Sequence, residues 1–408
     1  MPVARIDSRP PVSIPGTVPV PAPASRIRSI DLLRGLVMIV MALDHARDLL
    51  HRGALTEDPL NLQTTTPALF LTRFVTHFCA PVFVFLAGTS AWLQAQRKSR
   101  GVLSSFLVKR GLWLILAELT FVNFGLTFDP GLSIIFLQTI WAIGISMVLL
   151  GLAVHLPFRV LLAIGLIIVF GHNALDFYEK GRTDLPLWYS IMHRQVPIPL
   201  SKDHLIFSVY PFLPWTGVML LGYCFGRLVT QPDEVRRSRL LWLGLAAIAL
   251  FIVVRWTNAY GDPSPWMTQA NAGRTVLSFI NVTKYPPSLL FLCITIGPAL
   301  LFLAFFSKAK GRVADIISVY GSVPFFYFVL HFYVLHLLAA VLFLGRGHSV
   351  YEGMHPTAGP FRFTAPGEGL SLTLTYVAWL GTVAALYPLC RWFSNYKKTH
   401  KQWWLSYL

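Results

Sequence analysis

The stretch IDLLRGLVMIVMALDHARDLL, residues 30–50, decides how this chain is to be read. It is long and apolar enough to cross a bilayer, yet Asp31, Arg34, His45 and Asp48 form a polar stripe inside it. Ionisable groups in a membrane helix cost roughly 2.5–3.5 kcal/mol each on insertion scales, so they tend to mark a site. Arg34 and His45 are eleven residues apart, about 1100° of helical turn and about 16 Å of rise, which leaves them within roughly 20° of one face. That face carries a guanidinium toward one membrane surface and an imidazole toward the other.

The rest of the chain has the same character. Its 408 residues are 55% hydrophobic and 13% charged, with a mean hydropathy of +0.59. The apolar runs are continuous rather than alternating, which excludes a transmembrane β-barrel. The expectation is an all-α fold, a polytopic transmembrane helix bundle of about ten spans: 30–50, 68–94, 103–124, 132–154, 157–176, 205–229, 238–258, 286–306, 318–344 and 369–392. A net charge of +16 would point to nucleic acid in a soluble protein. Here the basic residues cluster in alternate short loops, so the positive-inside bias explains them and no nucleic-acid partner is expected. Arg97, Lys98 and Arg100, then Arg236, Arg237 and Arg239, then Lys308, Lys310 and Arg312 fall on one side with both termini, which the bias makes cytoplasmic. Arg274 and Lys284 break the pattern, because they lie in an outer loop. Residues 1–25 are rich in Pro, Val and Ser and read as a disordered cytoplasmic tail, leaving 26–408 as a single transmembrane domain. Cys79, Cys224, Cys293 and Cys390 sit in apolar runs and read as core. No clustered ligand set calls for a metal, and the oligomeric state is left open.

Ionisable residues from several spans converge in the outer half of the bundle. His45, His77, His331 and His336 can all approach one another there, and imidazole suits general-base work because its pKa lies near neutrality. A base needs an orienting partner. Asp48, three residues on, shares the face of His45, whereas Asp44 is rotated by about 100° and faces another helix. Arg47 is expected to pair with Asp44 or to snorkel outward. On the opposite side, Arg97-Lys-Ser-Arg100 with Lys109 and Arg110 has the spacing for bidentate phosphate contacts. Glu118 is expected to face the bundle or a watery cavity, and Asp129 and Asp176 to be solvated at span ends. Tyr210-Pro-Phe-Leu-Pro-Trp215 and Lys284-Tyr-Pro-Pro287 read as proline-opened helix starts with interfacial aromatics.

These segments resemble a known group. Ser29 to Asp48, Thr76-His-Phe-Cys-Ala-Pro-Val-Phe-Val-Phe-Leu-Ala-Gly88, Phe136-Leu-Gln-Thr-Ile-Trp-Ala-Ile-Gly144, Tyr210 to Trp215, Lys284 to Leu290 and Phe325 to His336 are similar, in order, to bacterial membrane proteins of the heparan-α-glucosaminide N-acetyltransferase catalytic-domain-like family. The wider transmembrane acyltransferase group, including the acyltransferase-three proteins, carries Arg-x10-His in its first helix and Arg-x-x-Arg in a cytoplasmic loop. Arg34…His45 and Arg97…Arg100 match both patterns. The lysosomal heparan enzymes have Asn at the position of His45 and their catalytic histidine in the first outer loop, where the nearest residue here, His51, lacks matching context. The catalytic role therefore falls on His45 through the acyltransferase-three pattern.

The resemblance implies an integral protein of the bacterial inner (plasma) membrane that takes acetyl-CoA, or another acyl-CoA, from the cytoplasm. It would pass the acyl group to the hydroxyl or amine of an outer-face glycan or lipid-linked sugar. His45 would be the base, with Asp48, His77, His331 and Asp44 around it, and Arg34, Arg97, Arg100, Lys109 and Arg110 would hold the CoA. The rise from Arg34 to His45 is comparable to an extended pantetheine arm. Two other readings use the same polar path: a transporter or flippase of an anionic or lipid-linked solute, and a non-catalytic accessory membrane protein.

Overall fold

Helix α1 (Arg28–Leu50) runs unbroken through the stretch that opens the chain. The computed structural model describes residues 28–356 and 359–406, so the expected tail over 1–25 lies outside the described residues. The fold is mostly helical, at 69% helix, with few strands. A helix occupies each of the ten expected segments. Among the described residues, five are long and apolar enough by themselves to cross a membrane: Pro67–Ala95, Phe212–Val229, Asp233–Thr257, Pro324–Gly345 and Leu372–Thr399.

Local chemistry sets the boundaries. The second segment divides into α2 (Pro67–Thr76) and α3 (Cys79–Ala95); Thr66 caps α2 by accepting from the Leu69 amide, and Pro67 fills a first-turn position that needs no donor. The third is α4 (Arg100–Ala117), a π-helical turn over Glu118–Val122, and α5 (Asn123–Thr127). Then come α6 (Thr139–Ala153), α7 (Phe158–Gly171), the short α8 (Ala174–Glu179) and α9 (Leu187–His193), α10 (Phe212–Val229) and α11 (Asp233–Thr257). Asn271 caps α12 (Ala272–Ile280) and Ser288 caps α13 (Leu289–Phe305). The ninth expected span, 318–344, is broken at Val323: α14 (Arg312–Ser322) ends there, and α15 (Pro324–Gly345) begins with Pro324, which cannot donate back into a preceding helix. A capping box of Ser349 and Glu352 starts α16 (Val350–Met354), and α17 (Leu372–Thr399) closes the bundle.

Two span starts were read too early. Ile134–Leu137 and Leu205–Ser208 are strands β1 and β3, and Val196–Pro199 is β2. The sheet order is β1-β3-β2, with β1 parallel to β3 (Ile134 opposite Leu205) and β2 antiparallel to it (Val196 opposite Ser208). Short apolar runs rich in Ile and Phe are ambiguous between strand and helix, and here pairing satisfies their backbone before α6 and α10 begin. Val-Pro-Ile-Pro fits the edge, where proline costs no ladder bond.

In the span of α10, 72% of residues are buried, against 22% for α11 and 17% for α17, so α10 is core and the other two face outward. Helix α10 packs on α3, α6 and α7, and α1 packs on α14, α15 and α17. Glycines allow the closest crossings: a Cβ on Gly35 would lie 1.9 Å from the Ile317 carbonyl oxygen, and one on Gly321 1.9 Å from that of Asp31. The four cysteines are buried and free.

Candidate functional site

One face of α1 lines two cavities in succession. Arg34 and Met38 border the first, and Met41, His45 and Asp48 border the second, at the four-and-three spacing of a helical stripe. The first, the basic cavity, encloses about 240 Å³ between α1, α3, α4, α6 and α15, with Arg34, Arg110 and Lys397 among its walls. The second, the histidine cavity, encloses about 190 Å³. Phe83 of α3 and Thr139 at the start of α6 border both, so the two meet at that throat. A broader vestibule of about 650 Å³, bordered by Arg28, Arg312, Arg391 and Lys398, shares Ser322 with the basic cavity.

In the basic cavity, the Arg34 guanidinium donates to the Ser90 hydroxyl at 3.0 Å and the Gly321 carbonyl at 3.3 Å, and lies 3.5 Å from Asp31. Of the five cations expected to hold CoA, Arg34 and Arg110 line this cavity. Arg97, Arg100 and Lys109 are exposed and do not; Arg100 donates to the His155 carbonyl at 3.1 Å. Lys397, near the end of α17, lines it as well.

The histidine cavity is built on an ion cluster. Asp44 accepts from Arg47 at 3.2 Å and from Arg73, and stands 4.0 Å from the Lys284 ammonium. Arg47 also donates to Asp48 at 2.5 Å. Arg47 is thus paired with both carboxylates and buried at 5% exposure, rather than snorkelling. Three cations meet two carboxylates, so with all five ionised the cluster has a formal charge of +1. Arg73 also donates to the Tyr285 hydroxyl at 3.4 Å, and the Tyr285 and Tyr210 rings meet edge-on at 5.1 Å. Phe136, Phe207, Val209 and Phe361 roof the space.

His45 faces this cavity, and its ring makes no hydrogen bond to another described residue. It lies 5.1 Å, centroid to centroid, from His331 and 4.3 Å from Phe332. His331 Nδ1 is 3.1 Å from the Tyr327 carbonyl, which can only accept, so Nδ1 carries the proton and the buried, unpartnered Nε2 is left as an acceptor. The orienting role expected of Asp48 is not expressed as a hydrogen bond to His45, since Arg47 holds that carboxylate. The other two histidines lie elsewhere. His77 packs between Phe74 and Phe291, outside the cavity wall. His336 stacks on Phe128 at 3.9 Å and donates to the Arg362 carbonyl at 2.8 Å.

Arg73, Lys284 and Tyr285 are the residues that sequence reasoning missed. Arg73 carried the signal of an ionisable group inside an apolar run. Lys284 carried another, as an exception to the charge bias. Asp262 fixes the backbone around it, accepting from the Thr283 amide at 2.8 Å and the Ser288 hydroxyl at 2.6 Å. The second exception, Arg274, donates to the Leu62 carbonyl and ties two loops together. Glu118 faces inward as expected, accepting from the Trp141 amide at 3.1 Å beside the π-helical turn.

Asp129 is buried rather than solvated. It accepts from the Ser133 side chain and amide and from Arg362 at 2.9 Å. Burial alone would raise its pKa, but these donors hold it down at about 2. The pair anchors the segment that carries the roof residue Phe361.

Residues 26–260, more than half of the chain, match the family described as heparan-alpha-glucosaminide N-acetyltransferase, catalytic. The match takes in α1 to α11, and so Arg34, Asp44, His45, Arg73, Phe83 and Thr139, and stops short of Lys284 and His331. No curated protein matches the chain.

Proposed function

The chain belongs to the heparan-alpha-glucosaminide N-acetyltransferase catalytic family, and from that premise we propose that it carries an acetyl group across the bacterial inner membrane, from cytoplasmic acetyl-CoA to a sugar or glycan acceptor outside. Ten crossings with both termini in the cytoplasm give α1 its direction, Arg34 inward and His45 outward. The single observation that carries this reading is the shared throat: the basic and histidine cavities both touch Phe83 and Thr139. A thioester threaded from one cavity would present its carbonyl to the other.

In this mechanism Arg34, Arg110, Lys397 and the vestibule cations hold the CoA phosphates, while the exposed Arg97, Arg100 and Lys109 attract the anionic donor to the mouth. The pantetheine arm follows the roughly 16 Å from Arg34 to His45. An acceptor hydroxyl or amine enters under the aromatic roof. As its oxygen or nitrogen bonds to the acyl carbon, His45 takes its proton. The C–S bond then breaks, and the CoA thiolate leaves and recovers the proton. His331, with its bare Nε2, positions His45. Lys284, Tyr285 and Arg73, whose cluster is net positive, stabilise the oxyanion that develops on the acyl carbonyl. Asp44 holds those cations in place. His77 packs the helices and takes no part.

The test is calorimetric titration of acetyl-CoA into purified protein, with labelled acetyl transfer in vesicles loaded with donor on the cytoplasmic side. Binding that weakens on Arg34→Ala/Arg110→Ala, with transfer to outside glycan, is expected. Absence of acetyl-CoA binding, or solute counterflow without CoA, overturns the reading in favour of transport.

A further inference from the structure

We propose that Asp176, Glu179 and His193 form a binding site for a divalent transition-metal ion of the zinc or manganese class, on the outer segment between α7 and α10. Asp176 and Glu179 are three residues apart on α8 and so share a face, and His193 is the last residue of α9. One ligand atom from each lies within 4.8 Å of the others. A tetrahedral zinc ion with bonds of about 2.0–2.2 Å holds its ligands about 3.3–3.6 Å apart. Asp176 therefore closes in, and the His193–Glu179 contact, 2.6 Å from Nδ1 to Oε1, opens by less than about 1 Å.

The surroundings fit a metal more closely than a chance ion pair. A ligating imidazole has its second nitrogen held by a neighbour. His193 is fully buried, and its Nε2 is 3.0 Å from His172 Nδ1. Independently, Tyr189, one turn before His193 on the same helix, is 7% exposed and its hydroxyl has no hydrogen-bond partner. That hydroxyl stands beside Glu179. A water on a cation held by Glu179 would give it a well-placed partner. Arg194 reaches Glu179 only at 3.9 Å and is partly exposed. One nitrogen and two carboxylate donors, without thiolate, suit zinc or manganese better than an all-oxygen calcium site. Residue spacing alone does not point to this site, because His193 is separated from the carboxylates by the loop between α8 and α9.

The site has a structural consequence for the histidine cavity. Helix α9 packs on β2 and α10, and β2 pairs with β3, which carries the roof residue Phe207 and leads to Val209. A bound ion fastens α8 to α9 and so steadies that roof, whatever reaction proceeds beneath it.

The test uses the full chain in detergent, stripped with EDTA and titrated with ZnCl₂ or MnCl₂. Metal content, calorimetry, thermal unfolding and the visible spectrum after Co²⁺ addition are the readouts. About one ion per chain is expected, with a rise of several degrees in the unfolding midpoint, and Glu179→Gln should weaken binding about 10- to 100-fold. Should that variant not fold, Asp176→Asn, at a half-buried position, is expected to weaken binding in the same direction. Substoichiometric binding to the wild-type chain, or variants that bind as it does, would overturn the proposal and leave a hydrogen-bonded His–Glu pair. None of these readouts requires acyl transfer.

Discussion

The two cavities that meet at Phe83 are lined by one face of α1, yet they hold charge in different ways. Around the basic cavity the cations come from separate elements: Arg34 from α1, Arg110 from α4 and Lys397 from α17. Around the histidine cavity they are locked into one cluster with Asp44 and Asp48. Separately anchored cations suit a large anion that brings its own negative charge. A cluster already paired, with a surplus of one positive charge, suits a charge that appears only during reaction. The difference teaches that loss of one residue should cost the basic cavity less than it costs the histidine cavity.

Five tests break or sharpen that contrast. The largest effect is expected at His45. His45→Ala should lower acetyl transfer about 10²- to 10⁴-fold while acetyl-CoA binding is kept, because general-base help is lost and donor contacts are not. Full transfer by that variant would remove His45 from the mechanism. Next, Asp44→Asn leaves Arg47, Arg73 and Lys284 facing a neutral group. Breaking a buried pair costs about 3–5 kcal/mol, so thermal unfolding should shift sharply downward. An unchanged midpoint would show that the cluster is solvated.

Third, Arg34→Ala should raise the acetyl-CoA dissociation constant about tenfold or more, the loss of a charge-assisted contact of about 1.5–3 kcal/mol, whereas Arg97→Ala should change it by less than about twofold. Equal effects would mean that the exposed pair binds the donor after all. Fourth, Thr139→Leu narrows the throat. It should reduce transfer about tenfold with donor affinity held, at an overpacking cost of about 1–3 kcal/mol. Loss of binding and transfer together would argue against a passage at that point.

The smallest effect concerns the roof. Asp129 has its pKa lowered from 3.8 to about 2. A depressed folded-state value means that its contribution to stability is fully present above pH 3.8 and is lost as pH falls through about 2. The unfolding midpoint of Asp129→Asn should therefore lie a constant few degrees below wild type at neutral pH, and the gap should shrink on acidification below pH 4. A gap independent of pH down to the acid limit would refute the assignment.

Much of this was legible in the sequence. The helical segments and the α1 stripe follow from apolar periodicity and chain length, which are local properties. The strands at 134–137 and 205–208 were missed because a four-residue apolar run reads the same as a helix start, and only pairing between distant segments distinguishes the two. Asp48 was preferred to Asp44 by rotation about a single helix axis. That argument contains nothing about Arg73 and Lys284, which make Asp44 the hub. Arg97 and Arg100 had the right spacing for phosphate, but spacing does not say whether a cavity lies beside them.

What the sequence by itself determined is therefore the helical membrane character, the family, and a first helix with Arg34 and His45 on one face. What only the tertiary structure decided is which other residues share that face's two cavities. Arg73 meets Asp44 across 29 positions and Tyr285 across 212. The physical reason is that burial drives helix formation residue by residue, whereas the partner of a buried charge is whatever group of opposite sign the packing brings within reach.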